Sequence, residues 1–61
     1  MRITAVVELP FGVWQPIDLE SDEVYEVFRA GSKYQVTGDQ VTVGDSVKHD
    51  GDWKRVISFQ D

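Results

Sequence analysis

The chain reads as an α+β domain, a small antiparallel β-sheet with one short helix packed on a face. Three observations predict it. The run RITAVVEL, Arg2 to Leu9, is rich in β-branched residues and alternates in character. The stretch SDEVYEVFRAG, Ser21 to Gly31, places Val24, Tyr25, Val27 and Phe28 at the spacing of one helix face. From Lys33 onward, short apolar runs are separated by Gly-Asp and Asp-Gly pairs, the punctuation of hairpins.

Each element has a local rationale. In the first run, Ile3, Ala5 and Val7 alternate with Arg2, Thr4, Val6 and Glu8, which predicts one buried and one partly polar face. PFGVWQP, Pro10 to Pro16, holds both prolines of the chain and a glycine and reads as a loop, with Phe11, Val13 and Trp14 folded back over the core. For the helix, the Ser21 hydroxyl is placed to accept a bond from a first-turn N–H. Asp22 and Glu23 match the dipole of the first turn, Arg29 falls in the last turn, and Gly31 suits the position just past the end. KYQVT, QVTV, SVKH and WKRVISF read as strands, with turns at Gly38-Asp39, Gly44-Asp45 and Asp50-Gly51-Asp52. GDQV at Gly38 is echoed by GDSV at Gly44, a spacing that marks a meander. The same residues admit an all-β alternative, an SH3-like small barrel in which 23–29 is another strand.

A chain of 61 residues makes one domain, 1–61, and buries only about 60% of the surface its unfolded form exposes. That leaves little material for a deep substrate cleft beside a complete core, so no enzyme is expected. Ser21, Ser32, Ser46 and Ser58 lack the G-x-S-x-G context of a nucleophile, and the phosphate-binding glycine motifs are absent. There are no cysteines, which removes disulfides, thiolate metal sites and cysteine nucleophiles. His49 beside Asp50 and Asp52 lacks calcium-loop spacing, so no metal and no cofactor are expected. MRITAVVELPFG is broken by Glu8 and Pro10, and is expected to be neither a signal peptide nor a membrane span. The aromatic residues Trp14, Tyr25, Phe28, Tyr34, Trp53 and Phe59 are core candidates, with Trp14 the one expected to be exposed enough to anchor an interface.

The net charge is -5, from 11 acidic against 6 basic residues. An acidic chain is repelled by nucleic acid and by anionic membranes, so the expected partner is a basic protein and not nucleic acid or membrane. The charge is concentrated in DLESDEVYE, where Asp18, Glu20, Asp22, Glu23 and Glu26 stand without a Lys or Arg among them. A helix dipole accounts for Asp22 and Glu23 but not for Asp18 or Glu20. On a helix, Asp22 and Glu26 would share a face at roughly 6 Å between Cβ atoms, comparable to neighbouring phosphates along a strand. Asp39, Asp45, Asp50 and Asp52 form a second acidic group in the expected turns, where Asp is also a turn former.

In size, charge and lack of cysteine, the chain resembles the phage-borne inhibitors that imitate DNA. These are anti-restriction proteins, uracil-DNA glycosylase inhibitors and anti-CRISPR proteins, with the nearest likeness to small anti-CRISPRs of type I, including type I-C, effector complexes. The resemblance implies a monomer in a bacterial cytoplasm that occupies the basic surface with which a nucleic-acid-binding complex reads its target. From the charge pattern of this chain, that surface is Asp18, Glu20, Asp22, Glu23 and Glu26, followed by Asp45, Asp50 and Asp52, with Trp14 as an apolar anchor. Two rivals remain. One is a β-barrel interaction module binding a protein through Trp14, Tyr34 or Trp53; the other is an accessory domain whose acidity only keeps it soluble.

Overall fold

A computed structural model describes residues 1–60. The fold is all-β. The strands are β1 (Arg2–Glu8), β2 (Trp14–Glu20), β3 (Val24–Arg29), β4 (Ser32–Thr37), β5 (Ser46–His49) and β6 (Asp52–Gln60), with short 3-10 turns at Pro10–Gly12 and Gly38–Gln40. They form one antiparallel sheet in the order β2-β1-β6-β5-β3-β4, so β2 and β4 are its two edges. No helix of the described residues is long and apolar enough to cross a membrane.

The α+β expectation is therefore overturned at 21–31, which holds β3 and the turns around it. Its apolar spacing has a different cause. Tyr25 and Val27 alternate with Val24 and Phe28 on the two faces of one strand, and a strand apolar on both sides produces the same i, i+1, i+3, i+4 pattern. Val24 and Val27 are also better strand than helix residues. Gly31 does need positive φ, at 82°, but as the second residue of the Ala30-Gly31 turn between β3 and β4, where Ala30 has φ 52°. Two consecutive positive φ values make the type I′ turn whose twist suits a hairpin. Asp50 and Gly51, at φ 53° and 81°, build the same turn between β5 and β6, as Asp-Gly predicts.

Two more expectations are corrected. Residues 14–16 are not loop but the start of β2, and Pro16 is tolerated because β2 is an edge. QVTV is not a strand. Gly38–Gln40 is a 3-10 turn, and of Val41, Thr42 and Val43 after it only Val41 is buried. The echoed GDQV and GDSV therefore adopt different structures. At the first copy, Gly38 lies so close to β2 that an added Cβ would stand 2.1 Å from the Glu20 carbonyl oxygen. At the second, Gly44 has φ 97° and leads into β5.

The core is aliphatic. Ala5, Val7, Ile17, Leu19, Val27, Val41, Val47 and Val56 are buried, with Leu9, Tyr25, Val36 and Phe59 packed against them. β6 reaches both halves of the sheet because it bends. Its pairing with β1 shifts register between Val6 and Val7, a bulge that leaves Ile57 unopposed. Small β-branched side chains fill a sheet this tightly paired, and most of the large rings are left outside.

Candidate functional site

The strand registers fix what the outer face of the sheet carries. One row runs across all the strands: Trp14 on β2, Glu8 on β1, Arg55 on β6, Ser46 on β5, Phe28 on β3 and Lys33 on β4. Lys48 and Trp53 form the next pair between β5 and β6. Phe28 and Trp53 lean toward each other across β5, where Ser46 is the small residue beside Phe28. Their ring centroids are 4.8 Å apart at 52°, a tilted contact in the favoured range for aromatic pairs. Each ring is still 43% exposed.

The aromatic residues expected in the core are thus divided. Tyr25 and Phe59 pack against it, whereas Trp14, Phe28, Tyr34 and Trp53 are exposed. Phe11 and Val13 do not fold over the core either, and Phe11 projects fully into solvent from a left-handed backbone at φ 69°. An aromatic residue in that conformation is strained, since its Cβ crowds the following carbonyl. The cations near the Phe28–Trp53 pair are Lys33, Lys48 and Arg55. Lys33 Nζ lies 3.3 Å from Glu26 Oε2, and both side chains are partly exposed.

The acidic residues separate into three settings. Asp18 and Glu20 sit on edge strand β2. Asp18 faces Arg2 at 3.7 Å and accepts from the Thr4 hydroxyl at 3.2 Å, while Glu20 lies 3.9 Å from the N-terminal amine. These pairs are exposed and contribute little to stability. Asp22 and Glu23 occupy the turn between β2 and β3. The backbone N–H of Asp39 donates to the Ser21 carbonyl at 3.3 Å, which adds Asp39 to this acidic end. Glu26 stands apart from it beside Lys33, on the outer face of β3, so the helical spacing of Asp22 and Glu26 does not exist.

Asp45 is not at the surface. It is 2% exposed, and its carboxylate receives Arg29 Nε at 2.9 Å and Nη2 at 2.7 Å. The Thr42 backbone N–H adds a bond at 2.9 Å and its hydroxyl one at 3.2 Å. The Arg29 hydrogen bonds, followed by those from Thr42, hold the Asp45 carboxyl below the ordinary carboxylate range against the opposing effect of burial. The guanidinium also donates to the Gln40 carbonyl at 3.1 Å and lies 5.9 Å from the centre of the Tyr34 ring. Asp45 therefore ties the loop before β5 to the end of β3. Asp50 and Asp52 flank the β5–β6 hairpin. His49 there is partly buried, with Nδ1 3.1 Å from Lys54 Nζ and 3.5 Å from Asp50. Among the described residues, no three His, Asp or Glu side chains are grouped to hold a metal ion.

Compared with family models, curated proteins and solved structures, the chain matches none of them. Phe28 is the residue that sequence reasoning missed. The available signal was its companionship with Val24, since two large apolar residues on the outward face of a strand mark a face with more to do than meet water.

Proposed function

We propose that the chain is a non-catalytic protein-interaction module that docks a protein partner through the aromatic outer face of its sheet. The observation that carries this reading is the Phe28–Trp53 contact on the solvent side, with both rings 43% exposed. Exposed paired aromatics on a rigid sheet have the character of binding hot spots, because large rings bury much area at little entropic cost. Lys33, Lys48, Arg55, Glu26 and Glu8 form a mixed polar rim, and Trp14 at 66% exposure extends the face along the same row. The test is capture from a bacterial lysate with three baits: wild type, a Phe28→Ala/Trp53→Ala double variant, and an Asp22→Lys/Glu23→Lys double variant. Circular dichroism checks that each is folded. A protein held by wild type and the charge variant but lost with the aromatic variant is the expected result. Retention by the aromatic variant overturns the reading.

A second reading rests on the bond from Asp39 to Ser21, which gathers Glu20, Asp22, Glu23 and Asp39 at one end of the molecule. On this reading the chain is a decoy in the bacterial cytoplasm, occupying the basic DNA-reading surface of a nucleic-acid-binding complex, as the small acidic phage inhibitors do, anti-CRISPRs among them. Asp18 and Glu20 supply same-face spacing of about 6.6 Å on a strand, so the loss of the helix does not remove phosphate-like spacing. The same captures decide it, since the charge variant would lose its partner and the aromatic variant would keep it.

A further inference from the structure

The two edges of the sheet are unequal. On β2, the Ser21 N–H donates to the Met1 carbonyl at 2.8 Å and the Leu9 N–H to the Val13 carbonyl at 2.7 Å. Those bonds set the alternation of the β1–β2 ladder, so Trp14, Pro16, Asp18 and Glu20 turn their backbone groups outward. This edge is closed to another strand. Pro16 has no N–H, the Glu20 N–H is met by the Tyr25 hydroxyl at 2.8 Å, and two carboxylates line it.

On β4 the alternation is set by the Gly38 N–H, which donates to the Glu23 carbonyl at 3.0 Å. Ser32, Tyr34 and Val36 therefore bond to β3, and Lys33, Gln35 and Thr37 face outward. Only Thr37 is covered, its N–H reaching the Gln40 side-chain oxygen at 3.4 Å. The N–H and carbonyl groups of Lys33 and Gln35 meet no turn, loop or side-chain partner among the described residues. Lys33 is the only charge on the strand, and Glu26 of β3 lies beside it.

We propose that β4 is the docking edge for a second copy of this chain, paired antiparallel about a two-fold axis at Tyr34. In that register Lys33 of each copy lies opposite Gln35 of the other in a hydrogen-bonded pair, so every free edge group finds a partner. Lys33 never meets Lys33. Tyr34, 47% exposed and at the edge of the inner face, lies opposite its own copy in the non-hydrogen-bonded position, where side chains approach most closely. The acidic edge β2 remains on the far side of each copy. The sheet runs continuously through the pair, which places both Phe28–Trp53 faces on one side. If those faces dock a partner, the pair is bivalent and gains avidity without a new contact. The pairing itself does not depend on that reading.

The interface is small, so association is read up to millimolar concentration by sedimentation equilibrium, with amide exchange by NMR as a second readout. Wild type is expected to shift from monomer toward dimer mass as concentration rises, while exchange at the Lys33 and Gln35 amides slows. Gln35→Pro removes an outward N–H and breaks no ladder bond, as Pro16 already does on β2, and is expected to lower the association constant by about tenfold or more. Gln35→Ala keeps the backbone donor and is expected to associate like wild type. A wild type that stays monomeric with unchanged exchange at Lys33 and Gln35 overturns the proposal. So does a folded Gln35→Pro variant that associates as strongly as wild type.

Discussion

At the scale of single residues, Asp45 and Phe11 are opposite cases. Asp45 is a buried charge whose acceptor sites are met by Arg29 and Thr42, and removing one partner of such a pair leaves the other uncompensated. Arg29→Ala leaves the buried Asp45 carboxylate without its guanidinium and is expected to lower the urea unfolding midpoint below that of wild type. The pH dependence follows from the direction of the shift. A carboxyl held below its unfolded value stabilises fully above the ordinary carboxylate range, and that contribution is lost as pH falls through the folded value. Wild-type stability should therefore fall below about pH 4, and Asp45→Asn should be less stable at neutral pH with a shallower acid slope. Equal acid slopes in the two proteins would exclude Asp45 as the cause. Phe11 is strained in a left-handed conformation with its ring wholly in solvent. Phe11→Gly relieves the strain at some cost in chain entropy, so stability is expected to stay level or rise by up to about 1 kcal/mol. A loss larger than that would show that the ring packs on something in solution.

At the scale of elements, Gly38 closes the end of the sheet. It follows β4, donates to Glu23, and packs against the end of β2 with no space for a side chain. Gly38→Ala would force Cβ into the Glu20 carbonyl, and a cost of about 2–3 kcal/mol is expected, measured as a lower urea midpoint with an unchanged slope. Little change would mean that the turn moves freely against β2. The sequence shows a glycine there but not the strand it approaches, and this is the general limit of what was legible. β1, β4, β5, β6 and the Asp50-Gly51 turn could be read because alternation and turn chemistry are local signals. β3 was read as a strand only in the all-β alternative, over 23–29, because Ser21, Asp22 and Glu23 imitate a helix start and a strand apolar on both faces imitates helical spacing. β2 was hidden by Pro16, whose permissibility depends on being at an edge, a property of the whole sheet. The site followed the same rule. The exposure of Trp14 was legible from its proline-flanked setting. The burial of Asp45 required knowing that Arg29 lies across from it.

At the scale of the whole molecule, the surface offers two chemistries, and salt separates them. The net charge of -5 is spread unevenly. Arg2, Arg29 and Lys33 each lie beside an acid, so the carboxylates without a Lys or Arg partner lie mainly at the turn from Asp22 to Glu23 with Asp39, and at Asp50 and Asp52 of the β5–β6 hairpin, while Lys33, Lys48 and Arg55 offset Glu8 and Glu26 around Phe28 and Trp53. Attraction between an acidic end and a basic partner acts over about 10 Å at 0.1 M salt and is reduced to about 3 Å at 1 M. Burial of two aromatic rings has no such dependence, and salts that strengthen apolar association favour it slightly. For a captured partner, the aromatic reading predicts less than about a threefold change in Kd between low and high salt, measured by calorimetry. The decoy reading predicts weakening by about tenfold or more, carried mainly by slower association, because charge steers encounter more than it holds the complex. A partner whose association rate collapses with salt while Phe28→Ala leaves the complex intact would place the function at the acidic end. One whose dissociation rate rises with Phe28→Ala or Trp53→Ala, and whose association hardly responds to salt, would place it on the aromatic face.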